Sequence, residues 1–279
     1  MSAVATTPPE MKRGPRNIDD LIANVSASRL STWSQCRLKF YFRYILGLHK
    51  PKSAALHVGS SVHAVLKFWN KARWRGEKSS LKQLHDVYSS SWGDEQEKQP
   101  VEWEAGEEDA ERKVGWRLLE TYFRESSIQP DEKPEGVEVT VEADLSRHGL
   151  PKLIGIIDLV RPGQSTGMGG RIVDFKSSGK TPDPEQAGHL NEIQTTSYSV
   201  LYRASTSKVE SGIELHHLVK TKNPKLVVST FEPATENQRT RLFRYLESYV
   251  SGLQRKDWIP SPGFQCAACE FYRDCRRWH

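Results

Sequence analysis

No apolar run in this chain is long enough to cross a bilayer, and its Ala/Thr/Pro-rich start carries no apolar stretch of the kind that directs secretion. The expectation is therefore a cytoplasmic protein with no membrane partner. Cysteine is scarce: four residues are too few for a disulfide framework, and three of them crowd one end, which is a pattern of metal ligands. Charge of one sign is not abundant either. A formal net charge of +5 is compatible with a polyanionic partner without specifying one. A nucleotide-driven motor is also missing. Gly179-Lys180-Thr181 ends like a phosphate-binding loop, but the first glycine of that motif would fall on Asp174, and no helix follows at once.

What is present suffices for a core: 37% hydrophobic residues and eight tryptophans. Residues 1–20, rich in Pro, Thr, Lys and Arg without apolar periodicity, read as a disordered lead, with regular structure expected near Ser26. Residues 21–279 read as one domain. Ser26 to Leu48 has the spacing of an amphipathic helix or of two short ones, with Arg37, Lys39 and Arg43 between aromatics and Cys36 among them. His57 to Trp74 reads as a helix capped by Ser60 or Ser61. Residues 77–133 form a helical insertion whose acidic run, Asp94 to Glu111, reads as a solvated face.

The chemistry concentrates in Leu153 to Ser177. Two Ile/Val-rich runs, Leu153–Val160 and Arg171–Phe175, flank a Pro/Gly/Ser tract and predict a hairpin, entered by an alternating strand from Val137 to Leu145 that carries Glu142. Asp158 lies near the end of the first run. Asp174 and Lys176, two apart, share one face of the second. Two carboxylates and a lysine in apolar strands outline a divalent-metal site, although a hairpin can also end in a solvated Asp-x-Lys pair. Pro184 opens a helix to about Arg203, with Leu190, Ile193, Ser197, Val200, Leu201 and Ala204 inward and Gln194 and Tyr198 on the polar face. Strands 213–221 and 225–231 and a helix over 235–254 follow. The tail places Cys266, Cys269 and Cys275 as C-x2-C-x5-C, so a fourth thiolate has to come from Cys36; zinc is the plain reading of such a set.

Taken in order, Cys36, Gly59-x-x-x-His63, Asp158, Asp174-x-Lys176, Gln194-x-x-x-Tyr198 and the C-terminal triplet resemble the PD-(D/E)xK superfamily. Within it they are similar to the RecB-like nucleases of the iron-sulfur branch, such as the AddB nuclease and the CRISPR-associated adaptation exonucleases. The resemblance spans roughly Ser28 to Cys275. It implies a restriction-endonuclease-like α/β fold, a mixed sheet flanked by helices, with an iron-sulfur clasp joining the terminal regions. It further implies Mg2+ or Mn2+ held by His63, Asp158, Asp174 and the Phe175 backbone carbonyl, with Asp158, Asp174 and Lys176 catalytic. Gln194 and Tyr198 would contact substrate. Cys36, Cys266, Cys269 and Cys275 would hold a four-iron four-sulfur cluster, with structural zinc as the alternative. Cys36 is followed by Arg37 where the family often has proline. The implied partner is DNA, single-stranded or with free ends, together with a separate helicase or a recombination or adaptation protein. The activity implied is that of a DNA exonuclease in recombination, repair or phage- or CRISPR-type processing. The competing class is a non-catalytic nucleic-acid-binding subunit, which would keep the cysteines but not need Asp158, Asp174 and Lys176 together.

Overall fold

A computed structural model describes residues 16–163 and 167–278, so most of the expected disordered lead, residues 1–15, lies outside the described residues. Regular structure starts earlier than Ser26. Asn17 caps a one-and-a-half-turn helix, α1 (Ile18–Ala23), because Leu21 is fully buried and its carbonyl accepts from the Tyr249 hydroxyl at 2.9 Å. Then come β1 (Asn24–Ser26), α2 (Ala27–Gln35) and α3 (Arg37–Phe40), which winds on into a π-turn over Tyr41–Ile45. The aromatic segment is thus broken, and the break is Cys36, whose extended backbone separates α2 from α3.

Three helices follow: α4 (Ala54–Arg75), α5 (Leu81–Lys98) and α6 (Glu107–Glu125). Helix α4 begins before the predicted serines, capped by Ser53, because His57 and Val58 are already buried against its neighbours. The strands are β2 (Gly136–Ala143), β3 (Lys152–Arg161) and β4 (Arg171–Ser178). The predicted long helix after Pro184 is two helices, α7 (Pro184–Leu190) and α8 (Glu192–Thr206), broken at Asn191. That break changes the faces. Leu190 is 77% exposed and Ala204 is exposed, while Tyr198 and Tyr202 are buried with their hydroxyls bonded. Strands β5 (Ile213–Val219) and β6 (Lys225–Phe231) and helices α9 (Glu236–Gln254) and α10 (Tyr272–Arg277) complete the described chain. No helix among the described residues is long and apolar enough to cross a membrane.

By its contacts the chain divides into two compact units. The larger comprises residues 51–141 and 156–239. Its sheet is mixed: β3 runs antiparallel to β4, β4 parallel to β5, and β5 antiparallel to β6, and β2 also pairs with β3. Helices α4, α5 and α6 bury one face around Val62, Leu66, Trp92, Leu118, Tyr122, Val173 and Leu218. The acidic run is only partly solvated, since Glu95 pairs with the buried Lys52 at 2.6 Å and Glu111 with Lys220 at 2.6 Å.

The same unit buries a charged knot. Glu214 accepts from Arg161 at 3.0 Å and Arg171 at 3.3 Å and lies 2.9 Å from His216 Nε2. Burial alone would raise the Glu214 pKa, but the His216 hydrogen bond and the Arg161 charge hold it down to about 2. A depressed carboxylate pKa stabilises the fold above the unfolded-state value, so this contribution is lost as pH falls from about 4.5 towards 2. Glu214→Ala should cost about 1–3 kcal/mol in urea unfolding at pH 7, because it removes the carboxylate that Arg171 and His216 share while Arg161 keeps its two hydrogen bonds to Glu132. A loss under 1 kcal/mol would show the knot to be dispensable.

Among the described residues the smaller unit comprises 16–50, 142–155 and 240–278. In it β1 pairs in parallel with the first residues of β3, Asn24 with Lys152 through Ser26 with Ile154. Trp33 packs edge-on against Phe40, Tyr249 and Trp258, and Gly252 permits this, since a Cβ there would stand 2.2 Å from the indole. Ion pairs from Arg37 to Asp257, from Lys39 and Arg43 to Glu270, and from Lys50 to Asp274 fasten the N-terminal helices to the C-terminal segment.

Candidate active site

The site lies wholly within the larger unit. Alternation along β4 sends Val173 and Phe175 into the helical layer, so Asp174 and Lys176 take the opposite face. Asp174 is 3% exposed, with Lys176 Nζ 2.9 Å from its Oδ2. That oxygen nevertheless receives no well-directed hydrogen bond. Oδ1 is fully engaged: the Tyr198 hydroxyl and Gln194 Nε2 both donate to it at 2.9 Å. Gln194 also donates to the Tyr198 oxygen at 2.9 Å, and its Oε1 accepts from Lys176 Nζ at 2.6 Å. Burial raises the Asp174 pKa; Lys176 opposes the rise and the neighbouring Asp158 carboxylate adds to it.

On the neighbouring strand, Asp158 Oδ2 accepts from the Phe175 backbone N–H at 3.1 Å and from His63 Nε2 at 2.9 Å. His63 reaches it from α4, and the approach of that helix explains the Gly-x-x-x-His spacing. Gly59 sits over Ser177 of β4, where a Cβ would come within 2.6 Å of Ser177 Oγ, and one turn later the imidazole meets Phe175 edge-on at 6.1 Å. Burial works to lower the His63 pKa. The Asp158 hydrogen bond and charge, with the charges of Glu138 and Asp174, outweigh it, and the net shift is upward.

Glu138 escaped the sequence reading, which weighed Glu142 instead. Glu142 is exposed and pairs with Lys152 at 3.2 Å, whereas Glu138 reaches His63 Nδ1 at 3.7 Å and Lys67 at 2.9 Å. Period-two alternation puts both glutamates on one outward face. What redirects Glu138 is a left-handed backbone, φ +52°, uncommon for a non-glycine residue in a strand. Among the described residues, His63, Glu138 and Asp158 are the one group of three or more metal-ligating side chains with all ligand atoms within 4.8 Å of one another. Asp174 stands beside this group rather than within it.

One imidazole and several carboxylates form an oxygen-rich donor set of the kind that suits Mg2+ or Mn2+. Asp174 Oδ2, with Lys176 Nζ beside it but no well-directed hydrogen bond, adds a further carboxylate oxygen next to this set. The structure places Gln194 and Tyr198, expected to contact substrate, against Asp174 and Lys176 rather than on an open surface. Tyr198 is only 7% exposed. The four cysteines lie in the smaller unit, all unpaired. Cys36, Cys269 and Cys275 pack around Leu38, Phe42 and Phe271. Burial raises the Cys275 thiol pKa, and the nearby Cys36, Cys269 and Cys266 raise it further.

The profile of the PD-(D/E)XK nuclease superfamily matches residues 24–276. The crystal structure of an Eubacterium rectale protein named "Putative exonuclease" is similar in fold, with a TM-score of 0.56 at 14% identity over 96% of this chain and 93% of that one. No curated protein matches the chain.

Proposed function

Because the chain belongs to the PD-(D/E)XK nuclease superfamily, we propose that it hydrolyses DNA phosphodiesters with Mg2+ or Mn2+, as an exonuclease on single-stranded or end-processed DNA. The observation that carries the reading is the convergence of Asp158, Asp174 and Lys176 with His63 and Glu138 in one partly buried cluster. A non-catalytic DNA-binding subunit would have no use for that arrangement. His63, Glu138, Asp158 and Asp174 would hold the ion, with the Phe175 carbonyl as a further donor by resemblance. A divalent ion supplies charge stabilisation on the phosphoryl oxygens and a nucleophilic water at neutral pH.

The remaining work falls to the chain. Lys176, tied to both Asp174 and Gln194, orients the attacking water and offsets charge at the phosphate. Gln194 and Tyr198 hold Asp174 in place, so they are positioning residues in this reading rather than substrate contacts. Tyr198→Phe, which removes one hydrogen bond to a buried carboxylate, should slow cleavage about tenfold and leave single-strand affinity in Ca2+ unchanged. A loss of affinity of about 1–3 kcal/mol in Tyr198→Ala would instead return the ring to substrate stacking.

The four cysteines, in this proposal, hold a four-iron four-sulfur cluster remote in role from hydrolysis. The choice over zinc rests on the resemblance in cysteine spacing.

The direct test of the nuclease reading is incubation of anaerobically purified protein with 5′- and 3′-end-labelled single- and double-stranded DNA in Mg2+, Mn2+ or EDTA. Ion-dependent release of short products from one end is the expected result. Intact DNA under every condition would leave the binding subunit as the better reading.

A further inference from the structure

Beyond Lys176, where the parallel strands β4 and β5 end, a cleft of about 310 Å3 opens within the larger unit. Crevices at the carboxyl ends of parallel strands are where open α/β sheets take ligands. The floor of this one is Lys176 and His217, which are paired across β4 and β5 and therefore share a face. One wall is the turn carrying Lys180 and Pro182; the other is α7, which presents Gln186 and Leu190.

Three features mark it as built for a ligand. His217 is only 5% exposed, yet its Nε2 has no hydrogen-bond partner, an expensive omission unless something polar arrives. Burial, then the charges of Lys176 and His216, lower the His217 pKa, so the ring is neutral. Leu190 holds 77% of its surface in water at the rim. The exposed Lys180 ammonium has no partner among the described residues, while Asp183, the carboxylate lining the cleft, turns Oδ1 to the backbone N–H groups of Glu185 and Gln186.

We propose that this cleft receives one unpaired nucleobase of the substrate strand, next to the phosphodiester presented to Lys176. A base has two apolar faces and a polar edge, and the cleft offers the complement. Leu190 and Pro182 contact a face, Gln186 and neutral His217 meet the edge, and Lys180 meets the adjoining phosphate. The volume is at the small end for a ligand site, which suits one base rather than a longer stretch of strand. Gln186 and His217 take the edge that a paired base gives to its partner, so the occupant is a single strand or a frayed end. An amide and an imidazole can each accept or donate, so every base is tolerated.

This inference rests on the nuclease reading, and the experiment separates the two. A labelled 15-nucleotide oligo(dT) and a series carrying one abasic residue at successive positions are bound in Ca2+ to the wild-type protein and to Leu190→Glu, a rim change that folding tolerates. At one position the abasic residue should weaken wild-type binding about tenfold and leave Leu190→Glu binding unchanged, because the contact is already gone. Lys180→Ala should weaken both the intact and the abasic strand. Absence of any such position, or an equal abasic penalty in both proteins, overturns the base site even if the wild type cuts DNA in Mn2+. The coupled pattern in a protein that never cuts would sustain the site and sink the nuclease, and a wild type that binds none of the oligonucleotides sinks both.

Discussion

Asp174→Asn should abolish divalent-ion-dependent cleavage, and Lys176→Ala should slow it by at least about a hundredfold, the low end of what acid-base and electrostatic groups contribute. The asymmetry follows from where each group sits. Asp174 is nearly sealed, and one of its oxygens is already taken by Tyr198 and Gln194. The other, beside Lys176, is the atom left for an ion; an amide keeps the shape of the side chain but loses the charge. Lys176 is less buried and acts on the water and phosphate, so its removal should spare single-strand affinity in Ca2+ while the rate falls. Thermal melts of both variants check that the buried cluster still folds, since deleting one partner of a buried pair can itself destabilise. If both proteins, folded and pure, cut at the wild-type rate, the active-site assignment is wrong.

Much of this site was legible before any coordinates. Asp158, Asp174 and Lys176 were singled out because a charge in an Ile/Val strand is costly and so demands a reason, whereas His63 came only with the resemblance in Gly-x-x-x-His. The mixed sheet flanked by helices came from the resemblance to the PD-(D/E)xK superfamily. Three things were hidden for physical reasons. Glu138 obeys the strand alternation in sequence and breaks it in space, through one left-handed residue that no side-chain pattern announces. The break at Asn191 carries no proline or glycine, so periodicity ran through it and turned Tyr198 outward when it is in fact bonded to Asp174. Regular structure at Ile18, ahead of Ser26, depends on Leu21 meeting Tyr249, a contact more than 200 residues away that local composition cannot foresee.

Cys36→Ala should lose the brown colour and broad visible absorbance as completely as Cys275→Ala does, with a lowered melting temperature in both. The argument is one of loop closure. Cys36 precedes Cys266 by about 230 residues, and closing so long a flexible loop costs on the order of 5 kcal/mol from its logarithmic length dependence. Two kinds of contact already oppose that cost within the smaller unit, the packing of Leu38, Phe42 and Phe271 and the ion pairs from Arg37, Lys39, Arg43 and Lys50. These pairs are partly exposed, and surface pairs contribute little each. Thiolate-metal binding therefore has most to add, as it generally couples to folding. The break between α2 and α3 is consistent with this use. Cys36 ends one helix and caps the next, its sulfur accepting from the Lys39 backbone N–H at 3.4 Å. Metal analysis of anaerobically purified protein should find about four irons per chain and little zinc. One zinc and no iron would keep the clasp and discard the cluster. A Cys36→Ala protein with full iron and wild-type melting would discard the clasp, and the contacts around Phe271 would then be what joins the two ends.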